Sequence, residues 1–269
     1  MNTFVLKGGN AIDIVYGLTD RGSIDVDVSM AKDFDSGMLE EVRIRLESAL
    51  ISTFGDYSYQ IFDVSLIEKP KVPNQETRGF WGGYLLEFKV IEKEKAKGLS
   101  HEMKRKQALV VGPGNSTKFK VDISKFEYCE TKIEKELDGY TIYVYTPLMV
   151  VYEKLRAICQ QLPDYTSTIK QQPRSRARDF FDIHRIVTRL CLESQFIASE
   201  NLETLKAIFD AKHVPLSFLY KIASQKEFHA FDFSSIKDTV TDKSELKSFD
   251  FYFEYVLGLI DQIKIPGII

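Results

Sequence analysis

Two aspartates, Asp25 and Asp27, are separated by one residue in a segment that alternates between apolar and polar side chains. Residues 23–30 carry an apolar residue at every second position, which is typical of a half-buried β-strand. Because strand side chains alternate between two faces, both aspartates point away from the apolar face. Two adjacent carboxylates repel each other, and Mg²⁺ commonly binds one or two carboxylates together with phosphates. The pair therefore indicates a cation site, with a strand that has one solvated acidic face as the alternative.

A second segment, residues 118–123, repeats this pattern. Lys118, Lys120 and Asp122 share one face of a predicted strand, and the apolar residues share the other. If the two strands pair, Asp122 completes a three-carboxylate cluster with Asp25 and Asp27. Taken alone, the segment is explained equally well as an ordinary half-exposed strand.

Two glycines, Gly8 and Gly9, lie between an apolar segment and a predicted helical turn. Glycines in such a position let backbone N–H groups approach a phosphate, and a helix N-terminus adds a favourable dipole. The alternative interpretation is a plain tight turn.

The second half of the chain contains a further set of charged residues. Lys154 lies at the edge of an apolar helical stripe, from which its amine reaches either solvent or a triphosphate. Asp179 and Asp182 are three residues apart and share a helix face, where carboxylates also serve capping and dipole roles. The arginines of residues 174–178 either bind phosphate oxygens or form a solvated basic turn.

The periodicity of the remaining chain predicts the elements that position these residues. A helix is expected over residues 35–54, with Asp35 or Ser36 as N-cap, followed by strands over 57–68 and 79–92. A final strand is expected around 140–145, and the pattern after Pro147 is helical almost throughout. We therefore predict an α+β protein with an α/β domain over residues 1–146 and a helical domain over 147–269.

The composition excludes several classes of protein. The 269 residues are 44% hydrophobic and carry a net charge of -3, so a surface that binds nucleic acid all over is excluded. Three scattered cysteines fit a reducing compartment better than a disulfide framework and lack zinc-ligand spacing. The N-terminus does not resemble a signal peptide, and no apolar run is long enough to span a bilayer. We expect a cytoplasmic protein with no membrane partner.

Five motifs, taken in order, resemble the AbiEii/AbiGii toxin family within the polymerase β-like nucleotidyltransferase superfamily, and the mycobacterial MenT toxins are similar. They are LKGGNA (6–11), RGSIDVD (21–27), KVDI (120–123), EKLRA (153–157) and RARDFFD (176–182). The resemblance implies the nucleotidyltransferase fold, a mixed sheet flanked by helices and followed by a C-terminal helical domain that completes the active site. It also implies Mg²⁺-dependent transfer from a nucleoside triphosphate.

The resemblance further implies roles for individual residues. Asp25 and Asp27 match the metal-binding pair, with Asp122 as a third ligand at a position that the family fills less uniformly. Lys154 matches the lysine that contacts the triphosphate, and Asp179 matches the essential acid of the last motif. The expected nucleotide-binding residues are Gly8, Gly9, Ser23, Lys154, Arg178 and Asp182. In the wider superfamily the glycine–serine pair lies nearer to the aspartates, so either Gly9 or Ser23 meets the phosphates.

The biological role implied by the resemblance is that of a toxin in a toxin–antitoxin or phage-defence pair. The expected partner is a separately encoded antitoxin with a winged-helix regulator, and MenT-type members add nucleotides to tRNA 3′ ends. Basic residues form either an RNA-binding patch or the solvated side of an exposed segment. They are Lys93, Lys95, Lys97, Lys104, Arg105 and Lys106, together with the arginines of 174–178. A small-molecule acceptor, as in antibiotic-modifying relatives, a protein acceptor and a non-catalytic binding module are the alternatives.

Overall fold

The computed structural model describes residues 4–18, 25–72, 74–237, 239–240 and 243–263. The strands within these ranges are β1 (Val5–Lys7), β2 (Val26–Ser29), β3 (Tyr59–Lys69), β4 (Gly83–Glu92), β5 (Phe119–Ser124), β6 (Ile133–Leu137) and β7 (Tyr140–Val144). The α-helices are α1 (Gly8–Asn10), α2 (Leu39–Asp56), α3 (Lys93–Ala96), α4 (His101–Gln107), α5 (Pro147–Cys159), α6 (Pro163–Ile169), α7 (Ala177–Arg189), α8 (Glu193–Phe196), α9 (Ser199–Asp210), α10 (Lys226–Ala230), α11 (Ser234–Lys237) and α12 (Phe249–Asp261). A π-helical turn (Ala11–Val15) and two 3₁₀ segments (Pro113–Asn115 and Leu216–Gln225) complete them.

The chain divides into two compact units. The first consists of Met1–Phe4 and Ser23–Phe126, and the second of Val5–Gly22 and Glu127–Ile269. Strand β1 belongs to the second unit because it pairs in parallel with β7, which aligns Val5 with Tyr143. The predicted domain boundary after residue 146 coincides with the step from β7 to α5, inside the second unit. Each unit combines parallel and antiparallel strands with helices, which confirms the α+β class.

The first unit contains a mixed sheet with the strand order β3-β4-β5-β2. β2 and β5 are parallel, whereas β4 is antiparallel to both β3 and β5. The parallel pairing places Asp27 beside Asp122. A core of buried apolar side chains, among them Ile61, Leu86 and Ile123, fixes this register because a one-residue slip would expose it.

Helix α2 packs against that core through partly buried apolar side chains, including Leu39, Val42 and Leu46. The predicted N-cap is wrong: the helix begins after Met38 and has no side-chain cap. Residues 35–38 form a turn instead, in which the Met38 N–H donates to the Asp35 carbonyl over 3.0 Å. Asp35 and Ser36 therefore precede the helix by too many residues to cap it.

The second unit holds the strand order β1-β7-β6, followed by a helical assembly. Strand β6 was not predicted, because its central residues Glu134, Lys135 and Glu136 are all charged and give no alternating apolar signal. Helix α5 is the centre of the helical part, since its buried residues cover nearly its whole circumference. Among the described helices, none is both long and apolar enough to cross a membrane.

Candidate functional site

Lys154 is the central charged residue of the second unit. Its side chain is 9% exposed, and its Nζ donates to Asp179 Oδ1 over 2.9 Å and to Asp182 Oδ2 over 2.7 Å. Burial alone would lower the pKa of Lys154, but the two carboxylates outweigh burial and hold that pKa above its usual value. Lys154 is therefore a fixed cation at any physiological pH, and the shared face predicted for Asp179 and Asp182 is confirmed.

Local structure explains why Lys154 is held so firmly. Pro147 occupies the first turn of α5, and Thr146 caps that helix by accepting a hydrogen bond from the Met149 N–H. Lys154 then lies two turns into a helix in which most residues are buried. The lysine can balance its charge there only by pairing with acids from another element, and α7 supplies them.

The start of α7, which positions Asp179, is anchored by Asp232. The Asp232 Oδ1 atom accepts hydrogen bonds from the Ser175 hydroxyl over 2.6 Å and from the Ala177 N–H over 3.1 Å. A carboxylate at this end of a helix also interacts favourably with the helix dipole. His229 adds a third contact, because its Nδ1 accepts from the Arg176 N–H over 3.2 Å.

This histidine predicts a pH dependence of stability. His229 is 1% exposed and lies against the Phe180 ring, and burial lowers its pKa to about 4. Its folded pKa is thus below the unfolded value, so stability is complete above pH ~6.5 and falls by about 3 kcal/mol as the pH drops to ~4.

The loss can be measured by urea unfolding between pH 4 and 7. His229→Asn keeps an acceptor for the Arg176 N–H without titrating in this range, so it is expected to remove most of the slope. An unchanged slope in the variant would assign the acid sensitivity to other groups.

A recess of about 350 Å³ opens beside Lys154 within the second unit. Its lining consists of Gly9, Ile12, Asp13, Leu18, Lys154, Phe181, Asp182, Arg185 and Ile186. Gly8, which directly precedes Gly9 in the chain, has a φ of +68°, a left-handed conformation that glycine adopts without strain. We call this cavity the Lys154 recess. It brings together three of the predicted residues, Gly9, Lys154 and Asp182.

Arg185 is a member of this recess that the sequence motifs did not reveal. It lies three residues after Asp182 on α7 and therefore one turn further along the same helix face. That spacing was the available signal. Burial, followed by the nearby Arg189, lowers the pKa of Arg185, although a guanidinium stays charged at any relevant pH. A desolvated cation beside a like charge favours an anionic ligand.

The aspartates of the first unit lie on neighbouring strands. Asp27 of β2 and Asp122 of β5 are partners in the parallel register, and the apolar Val28 and Ile123 that follow them pack into the core. Asp25 and Asp122 are exposed and Asp27 is half-buried. Two carboxylates side by side on adjacent strands are a donor set that fits Mg²⁺, which needs few protein oxygens when phosphates complete its shell. No group of three or more metal-binding side chains is present among the described residues.

The remaining predicted residues lie elsewhere or cannot be placed. Gly8 and Arg178 are not part of the lining of the Lys154 recess, and Arg178 is half-buried. Arg176, rather than Arg178, contacts Asp179 over 3.4 Å. Ser23 lies outside the described residues.

The lysine-rich segment of α3 and α4 is compensated locally. Lys95, Lys97 and Lys106 each pair with a glutamate three or four residues away, and Arg105 pairs with Asp63. Lys93 and Lys104 donate to the Gly55 carbonyl and to Gln60. These contacts favour the solvated-surface interpretation of the segment over a dedicated phosphate-binding patch.

A cluster of buried charges lies around Glu127 in the second unit. Arg156 donates to Glu127 over 2.6 Å and to Glu153 over 3.0 Å, and Lys7 lies 3.4 Å from each of these two carboxylates. Lys212 approaches Glu127 within 3.5 Å. We call these five residues the Glu127 cluster. It ties the residue before Gly8 to the helix that carries Lys154.

Comparison with known proteins places the chain in a family. The family described as "Nucleotidyl transferase AbiEii toxin, Type IV TA system" matches residues 1–255, nearly the whole chain. None of the curated proteins with which the sequence was compared matches it.

Solved structures give more distant likenesses. A candidate nucleotidyltransferase from H. pylori is 16% identical, with a TM-score of 0.46, over 96% of this chain and 84% of the other. JHP933 from Helicobacter pylori is also 16% identical, with a TM-score of 0.39, over 96% and 82%. An antigenic nucleotidyltransferase-like protein from Paracoccidioides brasiliensis is 13% identical, with a TM-score of 0.34, over 90% and 88%.

Proposed function

Because the chain belongs to the AbiEii nucleotidyltransferase family of type IV toxin–antitoxin systems, we propose that it uses Mg²⁺ to transfer a nucleoside monophosphate to an acceptor hydroxyl. In this reaction the acceptor oxygen bonds to the α-phosphorus of a nucleoside triphosphate. The bond from the α-phosphorus to the β-phosphate oxygen breaks, pyrophosphate leaves, and the hydroxyl proton passes to solvent or a base. The observation that carries the proposal is the doubly anchored Lys154 in the wall of its recess.

The Lys154 recess is the part of the second unit that suits a triphosphate. Lys154 and Arg185 supply two cations, and Gly9, which has no side chain of its own, lets a phosphate oxygen approach its backbone in the recess. We propose that Lys154 and Arg185 stabilise the negative charge that develops on the leaving pyrophosphate. Arg178 and Ser23 are proposed as further nucleotide contacts.

Asp179 and Asp182 act on Lys154 in this proposal. Their hydrogen bonds, 2.9 and 2.7 Å long, hold its ammonium group in one position. A preorganised cation stabilises developing charge without reorganising during the reaction. Asp179 is the more buried partner and also contacts Arg176, so we assign it the main positioning role.

The first unit contributes the acidic residues. Asp25, Asp27 and Asp122 are proposed to hold Mg²⁺, and the in-register pair of Asp27 and Asp122 supports this assignment. When bound, the metal neutralises phosphate charge and aligns the acceptor hydroxyl.

The acceptor and the partner complete the proposal. We propose tRNA 3′ ends as acceptor, action as a toxin in a toxin–antitoxin or phage-defence pair, and neutralisation by an antitoxin with a winged-helix regulator. The family description supports the toxin assignment.

The decisive test is nucleotide transfer by a double variant. Incubation with labelled nucleoside triphosphates, Mg²⁺ and bulk tRNA is expected to label the tRNA, whereas Asp25→Ala plus Asp27→Ala reduces labelling by at least about 10³-fold. The matched control is Glu134→Ala plus Glu136→Ala, which removes two exposed carboxylates with the same spacing on β6. Its labelling should equal that of the unchanged protein.

The alternatives predict different results in the same assay. Transfer that survives the double aspartate change would sink the assignment of the metal ligands. Mg²⁺-dependent nucleotide binding without transfer to any acceptor would identify a binding module. Labelling of a small molecule or protein in place of tRNA would correct the acceptor.

A further inference from the structure

A second cavity, of about 230 Å³, lies wholly within the first unit and has no place in the reaction so far described. It is formed by the connection between β3 and β4 together with Lys125, the residue directly after β5. Its lining includes Glu68, Lys69, Asn74, Arg78, Trp81 and Lys125. We call it the Trp81 recess.

The walls of the Trp81 recess are built by close backbone packing. A side chain at Gly82 would place its Cβ 2.9 Å from the Lys69 carbonyl oxygen and 3.0 Å from Lys125, so this glycine allows the connection to close. Asn74 turns the chain, because its Oδ1 accepts from the Glu76 N–H over 3.1 Å and its carbonyl accepts from the Thr77 N–H over 3.2 Å. The cavity is therefore part of the fold rather than a gap in a loose loop.

One polar group in this wall has no partner among the described residues. The Nδ2 of Asn74 is buried, and no described acceptor lies within hydrogen-bond distance. The side-chain oxygen Oδ1 of Asn74 already accepts a hydrogen bond from the Glu76 N–H, and this bond sets the orientation of the side-chain amide. A buried donor without an acceptor is costly, and a ligand with an acceptor edge would satisfy it.

The charge of the recess is positive at its rim. Lys125 is only 4% exposed and is balanced by Asp33 at 2.6 Å and Glu68 at 2.8 Å. Lys69 and Arg78 are exposed and add two positive charges. The recess thus combines an aromatic ring, a buried amide donor and exposed cations.

These three groups match the parts of a nucleotide. Bases of single-stranded RNA stack on aromatic side chains and pair their edges with amides, while arginine and lysine bind the phosphate. The cavity is smaller than the Lys154 recess, so we assign it a single base rather than a nucleoside triphosphate. We propose that the Trp81 recess holds one unpaired nucleotide of the RNA acceptor.

The location supports this assignment, which rests on the proposed function in taking the acceptor to be RNA. Lys125 follows Asp122 by three residues and comes directly after β5, so their Cα atoms are separated by about 10 Å. The backbone of the recess is therefore near that of Asp122, whereas the odd spacing points the Asp122 and Lys125 side chains to opposite faces of the sheet. The lysines in and beside α3 and α4 already form ion pairs with nearby glutamates. The Trp81 recess is therefore a better candidate for an RNA contact in the first unit than that lysine-rich segment.

The single tryptophan of the chain makes the proposal directly testable. The full chain is titrated with the RNA trinucleotide CCA, without Mg²⁺ or triphosphate, while the fluorescence of Trp81 is followed. We expect a saturable change in emission. Arg78→Glu removes a rim cation, and Asn74→Asp keeps the turn acceptor but replaces the buried donor, so each should weaken binding at least fivefold.

The control variant is Lys97→Glu, which reverses an exposed cation directly after α3 that forms an ion pair with Glu94, three residues earlier. Its affinity for CCA should equal that of the unchanged protein. A titration without a saturable change overturns the proposal, and so does equal binding by Arg78→Glu and Asn74→Asp. An equal effect of inorganic phosphate would replace the nucleotide by a simple anion and also overturn it.

The transfer assay separates this proposal from the proposed function. If tRNA is labelled, Arg78→Glu is expected to raise KM for tRNA at least fivefold while the affinity for triphosphate stays constant. If no acceptor is labelled but CCA still binds through Arg78 and Asn74, the transfer reaction fails and the recess assignment stands. Labelling with an unchanged KM in both variants overturns the recess assignment alone.

Discussion

Replacement of Glu127 by glutamine is expected to lower the free energy of unfolding by about 3–5 kcal/mol. Glu127 is 5% exposed and faces three cations, Lys7, Arg156 and Lys212. Glutamine keeps the shape but removes the negative charge, so these buried cations are left with Glu153 as their remaining carboxylate within the cluster. Uncompensated buried charge is among the few mechanisms that destabilise a fold by this amount.

Urea unfolding at pH 7 measures this effect. The control is Glu92→Gln, which removes an exposed carboxylate paired with Lys95 and should change stability by less than about 1 kcal/mol. A Glu127 variant as stable as this control would show that the cluster is hydrated and contributes little.

Acid should weaken the same cluster. Burial alone would raise the pKa of Glu127, but Arg156, Lys212 and Lys7 together hold that pKa well below its usual value. A depressed carboxyl pKa gives stability that is fully present above the unfolded pKa, near 4.5, and is lost as the pH falls towards the folded pKa. The Glu127→Gln protein, which lacks this group, should lose less stability between pH ~4.5 and ~2 than the unchanged protein.

Replacement of Lys154 by methionine is expected to have two large effects at once. Asp179 and Asp182 lose the cation between them, which should lower the free energy of unfolding by about 3–5 kcal/mol. If Lys154 stabilises the leaving pyrophosphate, kcat for transfer should also fall by about 10²–10³-fold. A single variant cannot separate the two effects, since a destabilised protein also loses activity.

The triple variant Lys154→Met with Asp179→Asn and Asp182→Asn separates them. The triple change removes the buried lysine together with both of its carboxylates. It leaves Arg176, whose side chain is 39% exposed, without its partner Asp179, so stability should recover most of the way towards that of the unchanged protein. Activity should not recover. Recovery of both would show that Lys154 only balances Asp179 and Asp182, which would contradict its assignment to the triphosphate.

The local patterns of the sequence determined the elements that carry the proposed site. Alternation over residues 23–30 and 118–123 was sufficient to predict two strands with aspartates on their polar faces, and the structure pairs Asp27 with Asp122. A three-residue spacing was likewise sufficient to place Asp179 and Asp182 on one helix face. Such predictions succeed because period and spacing depend only on neighbours in the chain.

Tertiary structure alone decided which charges meet. The Glu127 cluster joins residues from positions 7 to 212, and nothing in the segments around Lys7 or Lys212 indicates that they share a carboxylate. The walls of both recesses, including Arg185 and Trp81, and the placement of β1 with the C-terminal part depend equally on contacts between distant segments. A buried charge is stable only beside a partner, and that partner is chosen by the packing of the whole unit rather than by the local sequence.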